Sequence, residues 1–150
     1  MSEALVYQRG MATLDAELAS TYRASPWVYE MMATGTREVA HLSFAVAVLE
    51  TEMTSPDDRQ RANTPTNLRS RVGVRLVARI RPDGTRADVA AAYAAGVLAR
   101  AALIRQAEGV QAAQGAQSWR WIRTTTSVVG DGTHLLIEQV YTVHHLVPTI

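Results

Sequence analysis

The chain has 150 residues, of which 47% are hydrophobic and 19% are charged, and these are the proportions of one globular domain. It contains no cysteine, which excludes disulfides, thiolate nucleophiles and cysteine-ligated metal sites. Its 15 basic residues, all arginine, nearly balance 14 acidic residues, so the net charge of +1 gives no reason to expect tight nucleic-acid binding.

The opening residues, 1–9, are too polar and too few to form a secretory signal. No apolar run reaches the roughly 18 residues that a membrane span needs. We therefore expect a soluble protein of the cytoplasm that does not contact a membrane.

The first periodic segment lies over residues 11–23. Its apolar residues, spaced three or four apart, are Met11, Leu14, Leu18 and Tyr22. Such spacing predicts an amphipathic helix. Ser25 and Pro26 end it, and the same pair can begin a second short helix.

From His41 to Met53 the sequence alternates, which predicts a strand. The larger apolar residues on one face are Leu42, Phe44, Val46 and Val48, and small residues occupy the other face. Glu50 and Glu52 continue the apolar face by this alternation, so we expect the strand to run past the edge of the core.

Residues 54–70 contain two prolines, little apolar content and no periodicity. We expect a long, protruding connection here. Connections longer than about 12–15 residues are usually functional or disordered, which makes this one a candidate interface.

Residues 72–81 form the clearest predicted strand, with one apolar face and one arginine face. Three interpretations of the arginines remain open: they are solvated or paired within the chain, they contact another subunit, or they bind nucleic acid. Cross-strand ion pairs of Glu50 and Glu52 with Arg75 and Arg79 would fit the first. The predicted interface comprises Asp57, Asp58, Arg59, Arg61, Arg69, Arg71, Arg75 and Arg79.

A turn at residues 82–84 precedes an alanine-rich helix predicted over residues 85–107. Its predicted inner residues are Val89, Ala92, Tyr93, Gly96, Val97, Leu103 and Ile104. A glycine inside a helix costs about 1 kcal/mol relative to alanine, so we expect the backbone at Gly96 to lie close to the sheet.

Residues 108–117 are expected to be a flexible connector. Alternating segments over residues 119–129 and 134–147 flank the sequence Gly-Asp-Gly-Thr, which predicts a β-hairpin. Together the elements predict one α+β domain over residues 1–150, with a largely antiparallel four-stranded sheet and helices packed on one face.

No motif for catalysis, metal or cofactor binding accompanies this pattern. His144 and His145 are adjacent on a strand and point to opposite faces, so they do not grip one ion together. No serine lies in a nucleophile elbow, and the Gly-Asp-Gly turn precedes a strand rather than a helix that could bind phosphate. We expect no enzymatic activity, metal or cofactor.

The order of elements carries a resemblance to a known family. It consists of the helix over 11–23, the strand over 41–53, the long polar loop over 54–70, the strand over 71–81 and the helix over 85–107. A closing hairpin follows, with Trp-x-x-Thr-x-x-x-Val from Trp121 and Gln-Val-Tyr-Thr-Val-His-His from Gln139. In this order the chain resembles the tail terminator and tail-completion proteins of long-tailed bacteriophages and related phage-like particles. Residues 26–40 are not matched.

The resemblance implies a structural subunit of the virion, assembled in the host cytoplasm and without enzymatic activity. It implies a hexameric ring that caps the tail tube protein and joins the tail to the head-tail connector proteins, while DNA passes through the lumen without sequence-specific binding. Another head-tail connector subunit, an adaptor or stopper, is an alternative. A small-molecule-binding α+β dimer or enzyme with a pocket around Tyr93, Trp119 and Tyr141 is a third.

Overall fold

The computed structural model describes residues 2–18, 21–24, 43–53, 66–79, 86–108, 117–129 and 134–147. They form two helices and five strands in one α+β arrangement. In chain order these are α1 (Ser2–Leu18), β1 (Arg23–Ala24), β2 (Ser43–Met53), β3 (Thr66–Arg79), α2 (Arg86–Glu108), β4 (Gln117–Val129) and β5 (His134–Val147).

The sheet has five strands in the order β1-β2-β3-β5-β4, not the four that were predicted. The additional strand, β1, has only two residues and runs parallel to the start of β2. Among the four long strands, each is antiparallel to the next, as predicted. A segment as short as β1 contains no alternation, so periodicity could not have identified it.

Both helices pack on one side of the sheet, called here the helix face. α1 lies mainly over β2, and α2 lies over β4 and β5. The helix face carries the largest buried side chains, which include Phe44, Val46, Val72, Val74, Leu76, Ile137 and Tyr141. The other side, called the second face, carries charged residues between small or apolar ones, of which Ala45, Val77, Leu136 and Val140 are buried.

α1 begins at Ser2, nine residues before the predicted start at Met11. The first turns add Val6 to the buried stripe that Leu14 and Leu18 continue. Tyr22 is buried as expected but lies beyond the helix, where its backbone N–H and that of Thr21 both donate to the carbonyl oxygen of Leu18. Polar residues in the first two turns concealed the helical pattern.

Gly10 lies where α1 approaches the sheet. A β-carbon at this position would be 3.1 Å from Cη2 of Trp119 and 3.2 Å from Cγ1 of Val46, closer than most side chains pack. Glycine therefore permits the close approach of α1 to β2 and β4.

α2 spans the predicted range within one residue at each end. Its buried stripe differs, because Ala92, Ala95, Ala99, Ala102 and Leu103 face inwards while Tyr93 and Val97 are about half exposed. The small side chains let the helix lie close to the sheet and to α1, which rotates the larger residues outwards. At Gly96 the backbone does lie close to the sheet, since its carbonyl oxygen accepts a hydrogen bond of 2.7 Å from Nε2 of Gln139.

β3 begins at Thr66, so residues 66–70 belong to the sheet and not to the long connection predicted over 54–70. The predicted inward residues Val72, Val74, Leu76 and Ala78 are all buried. Several predictions lie outside the described residues: the short helix after Ser25, residues 54–65, the connector at 109–116 and the hairpin turn at 130–133.

Candidate assembly surface

Four of the predicted interface arginines lie in one line on the second face. Residues of β3 alternate between the faces, which places Arg69, Arg71, Arg75 and Arg79 on the same side as Gly73 and Val77. Three of the four form ion pairs with acidic residues of the same chain. The other predicted interface residues, Asp57, Asp58, Arg59 and Arg61, lie outside the described residues.

A β-bulge at Leu49 decides which acids meet these arginines. The register of β2 against β3 shifts between Val48 and Glu50, so Leu49 is the extra residue. The shift moves Glu50 and Glu52 to the second face, where they lie opposite Arg71 and Arg69. The prediction that they continue the apolar face was therefore wrong.

Glu52 and Glu50 each form an exposed ion pair with the arginine opposite. Glu52 binds Arg69, and Glu50 lies 3.5 Å from Arg71 between Oε2 and Nη2. The pairing with Arg75 and Arg79 expected from the sequence does not occur, because the two acids lie at the other end of β3. The side chains involved are about half exposed, so water screens both pairs and each contributes little to stability.

Arg75 instead pairs with Glu138 of β5. The two residues are directly opposite in the register, and Nε of Arg75 donates to Oε2 of Glu138 over 2.7 Å. Their side chains are 23% and 30% exposed, so this ion pair is more protected than those of Glu52 and Glu50. Sequence alternation placed both residues on strands but gave no register between them, so this pair was missed.

At the end of the sheet where Glu50 and Glu52 lie, the helix face carries a chain of polar side chains, of which Thr51 is partly buried and Ser70 and His145 are buried. The hydroxyl oxygens of Thr51 and Ser70 are 2.7 Å apart, and Ser70 Oγ is 2.7 Å from Nε2 of His145. Burial lowers the pKa of His145, the nearby carboxylate of Glu3 acts in the opposite direction, and His144 lowers it further.

A hydroxyl beside an imidazole is the first requirement of a serine nucleophile. Ser70, however, has no solvent-exposed surface, so a substrate does not reach its oxygen. The pair therefore serves to satisfy polar groups inside the protein. His145 lies on β5 between β3 and β4, where it is opposite Leu68 and Gln117 in the register.

The residues proposed for a small-molecule pocket lie in different surroundings. Trp119 and Tyr141 are buried and meet edge to face with ring centres 5.7 Å apart, whereas Tyr93 is exposed. The Tyr141 hydroxyl donates to Oε1 of Gln139, and burial raises the pKa of Tyr141 far above its usual value. Trp119 and Tyr141 belong to the hydrophobic core in the described structure, and a pocket around the three residues stays a prediction.

An open groove of about 430 Å³ lies elsewhere, between the end of α1 and the first half of α2. Five of its twelve lining residues are alanine, and Leu18, Tyr22 and Leu98 add larger apolar surface. A shallow depression of about 180 Å³ lies over the ion pairs of Glu50 and Glu52. Within the described ranges, no three histidine or acidic side chains are grouped so as to hold a metal ion.

Neither described helix is sufficiently long and apolar to cross a membrane.

Exposed apolar side chains are concentrated on β4 and on the outer side of α2. They are Trp121, Ile122 and Val128 on the strand, and Tyr93, Val97 and Leu98 on the helix. Arg100 connects the two elements, because its guanidinium carbon lies 4.6 Å from the ring centre of Trp121.

No protein-family model and no curated protein matches the sequence. Among solved structures, a chain described as "Virion of native gene transfer agent (GTA) particle" is similar, with a TM-score of 0.48 and 15% sequence identity. The similarity covers 95% of this chain and 92% of the other. A TM-score below 0.5 does not establish a shared fold.

Proposed function

We propose that the chain is a structural subunit of a phage-like virion, and that it acts as a tail terminator. Six copies form a ring that caps the tail tube and joins it to the head connector. DNA passes through the lumen without sequence-specific contacts. The ring is assembled in the host cytoplasm and has no enzymatic activity.

The order of the elements carries this proposal. The resemblance to tail terminators depends on a helix, a strand, a second strand, a long helix and a closing hairpin. The described elements follow that order, and the two-residue β1 is the only addition among them.

The chemistry of the second face agrees with a role in assembly. Three pairs of its charged groups span neighbouring strands. A catalytic centre would instead need titratable groups converging on a cavity, with pKa values perturbed for their task. The exposed aromatic and aliphatic residues of β4 and α2 are typical of surfaces that other proteins cover.

The direct test is the mass of the purified chain by size-exclusion chromatography with light scattering, followed by electron microscopy. We expect a closed ring of six copies. The ring should also bind the end of tail tubes and stop their growth when it is added to polymerising tube protein. A chain that stays monomeric at high concentration and does not bind tubes would contradict the proposal.

The same assay separates the alternatives. An adaptor or stopper should bind the head connector and leave tube growth unchanged. A small-molecule-binding dimer should give a mass of two chains and leave both tube and connector unbound.

A further inference from the structure

The sheet has two outer edges whose strands differ in charge. In the described part of the chain, β1 pairs with only the first two residues of β2, so residues 45–53 have no partner on that side. β4 is the other terminal strand, and none of the described residues pairs with its outer side. Edges of this length invite pairing with another chain, so a soluble protein must cover or protect them.

The strand directions allow the two edges to pair with each other. β2 is antiparallel to β3, β3 to β5, and β5 to β4, so β2 and β4 run in opposite directions. If copies stand side by side in the same orientation, β4 of one copy therefore meets β2 of the next in antiparallel fashion. Contacts of this head-to-tail kind are the ones that close into rings.

The two edges carry opposite charges at matching positions along the strands. Glu50 is opposite Arg71, Arg71 is opposite Thr142, and Thr142 is opposite Arg120, so one row crosses the whole second face. It begins with an acid on β2 and ends with an arginine on β4. Glu52 lies at the start of the next row.

The arginines of β4 have no acidic partner in the described structure. Arg120 and Arg123 are exposed, and neither forms an ion pair with a described residue. The acid that Arg120 would meet in an unshifted head-to-tail contact is Glu50 of the next copy. Because a carboxylate has two oxygens, Glu50 can bind Arg71 of its own copy and this second arginine together.

Each edge also presents an apolar residue near this row. β4 has a register shift between Trp121 and Arg123, which makes Ile122 the extra residue there, as Leu49 is on β2. Leu49 is 43% exposed and Ile122 is 48% exposed. A bulge adds one residue to a strand and so shifts its register. If two paired edges each have one extra residue at nearly the same position along the strands, the two shifts cancel.

We infer that the outer edge of β4 docks on the outer edge of β2 in a second copy of this chain, extending the sheet from subunit to subunit. Arg120 contacts Glu50 across this junction, and Ile122 packs near Leu49. Arg123 and Glu52 lie in different rows, on either side of the row of Arg120, and add to the charge of their own edges. This inference rests on the proposed ring and specifies which surfaces join its subunits.

Reversing the charges on one edge tests the proposed contact between β4 of one copy and β2 of the next. The variant Arg120→Glu with Arg123→Glu makes both edges acidic, and Glu50→Arg with Glu52→Arg makes both edges basic. We expect each variant alone to have the mass of one chain, because like charges meet at every junction. An equimolar mixture should regain the wild-type mass, since acidic and basic copies can alternate around a ring of even number.

Arg105→Glu is the control, because Arg105 is an exposed arginine of α2 that lies beside Ala12 and Glu17 of α1 and not on a strand. It should assemble as the wild type does, and circular dichroism should show that all variants are folded. Wild-type assembly by either double variant alone, or a mixture of folded variants that stays at the mass of one chain, overturns the inference while the ring proposal stands. A wild-type chain that is monomeric throughout overturns both.

Discussion

The two faces of the sheet use polar groups in opposite ways. On the helix face, Ser70, Gln139 and Tyr141 are fully or almost fully buried, and each hydrogen-bonds to a specific partner. On the second face, arginines and acids pair at the surface, where water competes for them. The difference indicates that the helix face provides most of the stability, while the charges of the second face remain available for recognition by another subunit.

The largest loss of stability should follow truncation of an apolar residue on the helix face. Phe44 is completely buried, and Phe44→Ala should lower the free energy of unfolding by about 3–5 kcal/mol because it leaves a cavity. Guanidinium unfolding measures this loss. Leu49→Ala is the control on the same strand, since Leu49 is 43% exposed, and a loss as large as that of Phe44→Ala would contradict the contrast.

A smaller loss should follow removal of one buried hydroxyl. Tyr141→Phe keeps the ring but leaves Oε1 of Gln139 without the donor that lies 2.6 Å away, at a cost of about 1–3 kcal/mol. Tyr93→Phe makes the same chemical change at an exposed position, so its unfolding curve should overlay that of the wild type. Equal effects of the two substitutions would show that the buried network does not contribute.

The buried histidine predicts a dependence of stability on acid. Burial holds the pKa of folded His145 below its ordinary value of 6.5, so the unfolded chain binds a proton that the folded protein excludes. The stability linked to His145 is complete above about pH 6.5 and decreases as the pH falls towards the lowered pKa. Urea unfolding at a series of pH values measures the decrease.

The variant His144→Gln serves as the control, because the exposed neighbour is removed and the buried ring stays. It should retain most of the loss of stability in acid, because burial, the largest cause of the lowered pKa, remains and only the smaller effect of His144 is removed. An NMR titration that places the pKa of His145 at or above 6.5 would refute the mechanism.

The smallest effect should come from the second face. Glu138→Gln removes the ion pair with Arg75, which is partly exposed, and should cost no more than about 1 kcal/mol. The difference from the wild type should shrink at high salt if it is electrostatic. A loss comparable to that of Phe44→Ala would mean that the second face contributes as much to stability as the helix face does.

The regular elements followed from the sequence where a period was strong. Alternation identified the four long strands, and the alanine-rich segment identified α2 within one residue at each end. The hairpin prediction also placed β4 and β5 as antiparallel neighbours. Local patterns were sufficient here because successive residues of each strand point alternately to the helix face and to the second face, which differ in polarity.

The predictions were wrong where the direction of a side chain depends on contacts with other helices or strands. Periodicity put Tyr93 and Val97 inside, but small residues between α2 and the sheet turned them outwards. Strict alternation put Glu50 and Glu52 on the apolar face, but the bulge at Leu49 moved them across. Neither the packing partner of a helix nor an extra residue in one strand is visible in the period of a single segment.

By itself, the sequence determined the α+β class, the main antiparallel strands and the apolar side of β3, because hydrophobic period follows backbone geometry. Only the tertiary structure decided which charges meet: Glu52 with Arg69, Glu50 with Arg71, and Glu138 with Arg75. It also decided that an acidic and a basic edge lie at opposite ends of one row. Strand order and register bring together residues as distant in the sequence as Thr66 and Val147, and no local pattern contains that information.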